Sequence, residues 1–79
     1  MTEHRFHVVS IPGCPWCSLV KQELRQRGLP FTEAKLNSED ERHVFKTSMG
    51  TKTFPQVFAG ETRLGGYEDT MNWLKENGL

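Results

Sequence analysis

No stretch of this sequence stays apolar for the roughly 18 residues that a bilayer-spanning helix needs. Met1-Thr2-Glu3-His4 does not open the apolar h-region of a secretory signal. Net charge is missing too: ten basic and ten acidic side chains cancel, which removes the electrostatic case for nucleic acid or an anionic membrane as partner. There is no repeat, no low-complexity tract and no linker. Cysteine occurs only twice, and since a permanent disulfide is not expected in a reducing cytosol, two cysteines so close suggest a metal site or a cycling dithiol. These absences lead us to expect a small soluble protein of the cytoplasm, monomeric, with a small or near-neutral partner. With 79 residues the whole chain, 1–79, is needed to build one core, so a single domain is expected.

What is present alternates between two periods. Phe6 to Ile11 is a short apolar, β-branched run stopped by Pro12-Gly13, the pattern of a buried strand. From Pro15 to Arg27 the pattern turns helical, with Trp16, Val20 and Leu24 recurring every four residues, Leu19 widening the stripe, and Gly28 and Pro30 as stops. Phe31 to Leu36 reads as a second strand. Ser38-Glu39-Asp40-Glu41 has the form of a capping box and predicts a helix with Val44, Phe45 and Met49 as its apolar stripe, ended by Gly50 in a left-handed cap. Gln56 to Ala59, the Gly60-Glu61 turn and Thr62 to Leu64 form a hairpin. Gly65-Gly66 opens a last helix with Tyr67, Met71 and Leu74 inward, closed by Asn77-Gly78. A right-handed βαβ unit makes the first two strands parallel, and the hairpin adds an antiparallel pair.

The two cysteines lie in Cys14-Pro15-Trp16-Cys17, where the first strand gives way to the first helix. Three residues within one helical turn bring the sulfurs within bonding reach. Pro15 takes the first helical position, where a missing N–H costs nothing. Cys14 then faces unpaired amides at the positive end of the helix, which favour a thiolate; such cysteines titrate at roughly 3.5 to 7.5 instead of about 8.5. Cys14 is expected to attack and Cys17, one turn inside, to resolve the mixed disulfide. The rival is zinc, for which His4 and His7 have ligand spacing. They fall at the amino end of the strand whose carboxyl end carries the cysteines, so no metal is expected. His43 is expected to face solvent.

Two further segments carry chemistry. Thr53-Phe54-Pro55 precedes a strand, where proline is either an ordinary edge residue or a cis residue that turns the Phe54 backbone outward to pair with an extended peptide. Gly65-Gly66-Tyr67-Glu68-Asp69 joins small residues to acids at a helix start. Its amides could hold a carboxylate and Asp69 an ammonium group, together an α-amino acid; otherwise the glycines form a turn and Asp69 is a first-turn acid favoured by the helix dipole.

With these three motifs in this order and spacing, the chain resembles the glutaredoxins over nearly its whole length. The resemblance implies an α/β, thioredoxin-like fold: a four-stranded mixed sheet with three helices, in the order βαβαββα, and a cis-proline facing the active site. It implies glutathione as co-substrate and protein disulfides as substrates, with ribonucleotide reductase in the family's repertoire. By position, Cys14 would be the nucleophile and Cys17 the resolving residue. Phe54 would pair with the glutathione cysteine, flanked by Thr53 and Pro55, and Gly66, Tyr67 and Asp69 would hold its γ-glutamyl end. Two positions depart from the family. Ile11 stands where a lysine usually favours the thiolate and contacts the glycine carboxylate of glutathione, and Lys52 is the candidate substitute for that contact. Trp16 replaces a common tyrosine, and its face can still line the groove. The alternatives are a glutaredoxin-like electron donor fed by thioredoxin reductase, and an iron–sulfur carrier in which two subunits and two glutathiones hold a cluster.

Overall fold

A computed structural model describes residues 5–79. The apolar run at the amino end becomes β1 (Phe6–Ser10), followed by α1 (Pro15–Gln26), β2 (Phe31–Lys35), α2 (Glu39–Met49), β3 (Gln56–Ala59), β4 (Thr62–Gly65) and α3 (Tyr67–Glu76). The sheet order is β2-β1-β3-β4, with β1 parallel to β2 and antiparallel to β3, and β3 antiparallel to β4. This is the thioredoxin-like arrangement, with β1 central and its carboxyl end delivering the chain to the cysteines.

Register decides which face of the sheet becomes the core. Phe6 pairs with Phe31 and Ala59, and Val8 with Glu33 and Val57, so these residues share a face. Helices α1 and α3 pack on it, and Phe6, Val8, Val20, Leu24, Val57 and Leu74 form one buried cluster. Trp73 adds an edge-on contact with Phe6 at 5.9 Å between ring centres.

The apolar stripe of α1 differs from the expected one. Cys17, Val20 and Leu24 are buried, while Trp16 is 56% and Leu19 40% exposed. Steps of four residues drift round a helix of 3.6 residues per turn, whereas steps of three and then four hold one line. Trp16 is therefore left facing outward.

The expected stripe of α2 is also corrected. Val44 is 62% and Met49 37% exposed, and α2 buries no side chain. Of its expected apolar stripe only Phe45 is partly covered, its ring centre 5.6 Å from that of Phe54. What holds α2 is its ends. Ser38 Oγ accepts from Glu41 N at 3.1 Å, Glu41 Oε1 accepts from Ser38 N at 3.1 Å, and Gly50 caps the other end at φ 66°. In α3, Tyr67 and Met71 pack against the core and Leu74 is fully buried in it as expected, and Thr70 is buried beside them.

Candidate active site

Cys14 is the N-cap of α1, with extended backbone, and its Sγ accepts a hydrogen bond from Cys17 N at 3.2 Å. A thiol that receives a backbone N–H at a helix start is stabilised in its charged form. The two cysteines are joined as a disulfide with their Cα atoms 5.3 Å apart. Cys14 is partly exposed and Cys17 only 2% exposed, so an attacking reagent reaches Cys14 first.

Across from Cys14, the Phe54–Pro55 peptide is cis, which selects one of the two readings of that proline. The Phe54 carbonyl oxygen lies 3.9 Å from Cys14 Sγ. The segment is held from behind by Gln56, whose Nε2 donates to the Thr53 carbonyl at 2.9 Å and to Thr53 Oγ1 at 3.2 Å. Gln56 is buried, and sequence reasoning missed it. A polar residue opening an apolar strand beside a motif is the signal that would have found it.

A groove of about 450 Å³ runs from Trp16 past Thr53, Phe54 and Pro55 to Gly66, Tyr67 and Asp69. Seven of the eight binding positions expected from sequence thus share one surface, with Glu68 added. The Trp16 and Tyr67 rings, 5.3 Å apart at their centres, form its aromatic wall. Lys52, the eighth, stands instead in an adjoining polar cavity that shares Thr53, Gly66 and Asp69 with the groove. At the far end α3 begins at Gly66 with no side chain capping its first amides, so these remain available to a carboxylate. Thr70 Oγ1 donates to the Gly66 carbonyl at 2.7 Å and fixes this turn, a second buried residue that sequence reasoning missed.

Gly65 makes the close approach possible. Its φ is 115°, and a Cβ there would collide with the Asp69 carboxylate. We expect Gly65→Ala to cost about 1–2 kcal/mol, a fall in Tm of roughly 4–16 °C, and to displace Asp69. Thermal denaturation checks this against Gly66→Ala, where the nearest atom to a new Cβ, Pro55 O at 3.6 Å, is at ordinary contact distance. Equal losses in the two variants would sink the argument.

His4 lies outside the described residues, and His7 Nδ1 is 2.6 Å from Thr32 Oγ1 on the sheet. Among the described residues no group of three or more His, Cys, Asp or Glu could hold a metal ion. His43 is exposed.

A family model for glutaredoxin matches residues 6–64. The chain belongs to the glutaredoxin family. A glutaredoxin of Arabidopsis thaliana is 33% identical over 76 residues, covering 91% of this chain and 68% of that one. A hybrid peroxiredoxin of Haemophilus influenzae is 40% identical over 58 residues, which are 73% of this chain but only 24% of that longer protein. Among solved structures, buckwheat glutaredoxin in complex with glutathione superposes with a TM-score of 0.79 at 26% identity, covering 94% of this chain and 71% of that one. A glutaredoxin with a paired-cysteine site at a helix start is a thiol–disulfide oxidoreductase, and Cys14 and Cys17 are the reactive pair that this glutaredoxin carries.

Proposed function

We propose that this glutaredoxin is glutathione-dependent and reduces both glutathione mixed disulfides and protein disulfides. One observation carries the reading: the groove lined by Trp16 and by Phe54, whose carbonyl lies 3.9 Å from Cys14 Sγ, ends at the uncapped amides of α3 and at Asp69, a carboxylate site beside an ammonium site. Glutathione has a sulfur at its centre and an α-amino acid at one end, and the solved relative with glutathione bound supports the assignment. The Phe54 backbone aligns the peptide, Trp16 and Tyr67 cover it, and Gly66 with Asp69 holds the γ-glutamyl group. Lys52, in the cavity next to that grip, supplies a positive charge for a carboxylate.

In the single-cysteine route, the Cys14 thiolate attacks the glutathione sulfur of a mixed disulfide. An S–S bond forms to Cys14, the old S–S bond breaks, and the substrate leaves as a thiolate that takes up a proton. A second glutathione thiolate then attacks the bound glutathione sulfur, releasing glutathione disulfide and regenerating Cys14. In the two-cysteine route, Cys14 attacks a protein disulfide and Cys17, deprotonated, attacks Cys14 Sγ. This expels the reduced substrate and closes the Cys14–Cys17 bond. Glutaredoxin potentials of roughly −200 to −230 mV let a glutathione pool drive either cycle.

The test is the choice of electron donor. We expect hydroxyethyl disulfide to be reduced at the expense of NADPH with glutathione and glutathione reductase present, and not when thioredoxin reductase replaces both. The reverse pattern would make the protein a thioredoxin-reductase-fed donor, the reading that Ile11, in place of the usual lysine, otherwise favours.

A further inference from the structure

The reactive pair has a second side. Cys14 and Cys17 form part of the wall of a cavity of about 360 Å³ that shares no lining residue with the groove, and its only charged lining residues are Lys21 of α1 and Lys35 of β2. The only charged residues of the groove are Glu68 and Asp69. The disulfide thus lines a basic cavity, while the acidic residues line a separate groove that reaches Trp16 between the two cysteines.

The two lysines are not equivalent. Lys21 is one turn beyond Cys17 on the same side of α1, and its side chain is only 15% exposed. Its Nζ donates to Glu33 Oε2 at 2.9 Å, and Ser10 Oγ donates to the same oxygen at 2.5 Å. The Ser10 hydrogen bond first, and the Lys21 hydrogen bond after it, hold the Glu33 carboxyl below the usual range, so it stays ionised and offsets Lys21. Lys35, at the end of β2, is exposed, and among the described residues no carboxylate stands within salt-bridge distance of it. Glu33 also feels the charge of Lys35, less than that of Lys21, and two lysines against one carboxylate leave the cavity that the cysteines line with a net positive charge.

We propose that the cavity of Lys21 and Lys35 is a docking subsite for an acidic segment flanking the target cysteine of a protein substrate. The proposal rests on the reading that Cys14 attacks protein disulfides. An occupant of this cavity borders Cys14 directly, so a chain whose cysteine is under attack reaches it within a few extended residues, at about 3.3 Å each. On the reading above, glutathione occupies the groove, which shares no lining residue with this cavity. Charge opposite Lys35 gives the encounter its orientation, and the acidic flank formed by Glu68 and Asp69 disfavours the reversed one.

The experiment needs no glutathione, so it separates this proposal from the donor question. Two peptides that differ only in carrying acidic or basic residues next to one cysteine are prepared as disulfides with 4-thiopyridine and mixed with pre-reduced protein. Cys14 attacks the peptide sulfur, and the pyridyl thiolate leaves and takes up a proton to become the absorbing thione. We expect the acidic peptide to react about fivefold faster or more at about 0.01 M salt, with the rates converging near 1 M. Lys35→Glu is expected to reverse the preference and Lys35→Gln to reduce it. Comparing each peptide between variant and wild type cancels the peptide's own reactivity. A preference that Lys35→Glu leaves intact, or that survives near 1 M salt, overturns the subsite. A Lys35→Glu effect confined to the KM for glutathione also overturns it, because the cavity would then serve a glutathione carboxylate. Failure of reduced wild type to react with either peptide overturns both the subsite and the reading beneath it.

Discussion

Cys14→Ser is expected to lower turnover of a glutathione mixed disulfide by at least about a thousandfold, while Cys17→Ser retains it. The asymmetry follows from position. Cys14 is partly exposed, caps α1 and receives the Cys17 amide at 3.2 Å, so it is the sulfur that is reachable and whose place at the helix start favours a nucleophile once the disulfide is reduced. A serine hydroxyl there remains protonated at neutral pH and forms no S–S bond. Cys17 is buried, and on the proposed route its part is to expel a substrate already bound to Cys14. With a glutathione mixed disulfide, a second glutathione does the same work, so the route survives without Cys17. With a protein disulfide, Cys17→Ser should instead trap the substrate on Cys14 as a mixed disulfide, visible as an added mass that a reducing agent removes. Steady-state NADPH consumption with each substrate checks both statements. Loss of activity toward the glutathione mixed disulfide in Cys17→Ser, or its survival in Cys14→Ser, would falsify the assignment of roles.

What could be read from the sequence was local chemistry. Ser38 and Glu41 specify a helix start through hydrogen bonds between neighbours, and Gly50 specifies its end through a backbone conformation that only glycine adopts freely. The same holds at the site, where motif spacing brought Trp16, Phe54, Gly66 and Asp69 into one groove although they come from separate elements. What escaped depends on partners far away in the chain. Gln56 and Thr70 look like ordinary polar residues until the fold buries them against Thr53 and Gly66. Ser10, Lys21 and Glu33 come from three elements and become a cluster only once β2 lies beside β1 and α1 crosses them. Val44 and Met49 have the spacing of a buried stripe, yet spacing does not say whether a partner surface exists, and here α2 finds little of one. Trp16 was the most informative miss. Placing it in the α1 stripe and in the binding groove were competing uses of one side chain, and its 56% exposure decides for the groove.

That choice of register makes Leu24 the most consequential apolar residue of α1. Leu24 is fully buried and, with Val20 and Cys17, forms the line by which the helix carrying the cysteines attaches to the sheet. Leu24→Ala removes its packing and leaves a cavity, at a cost of about 3 kcal/mol. A domain of this length has roughly 4–12 kcal/mol in total, so the loss is a large share, corresponding to a fall in Tm of roughly 12–24 °C. Leu19→Ala, at a position 40% exposed on the same helix, should change stability by no more than about 0.5 kcal/mol. Trp16→Ala should behave like Leu19→Ala in thermal or urea denaturation, yet raise the KM for glutathione, because that side chain covers the ligand groove and not the core. Comparable losses in Leu24→Ala and Leu19→Ala would mean that α1 meets the sheet along a different line. With that line wrong, Cys14 would not face Phe54, and the groove would lose the backbone segment on which the proposed glutathione binding rests.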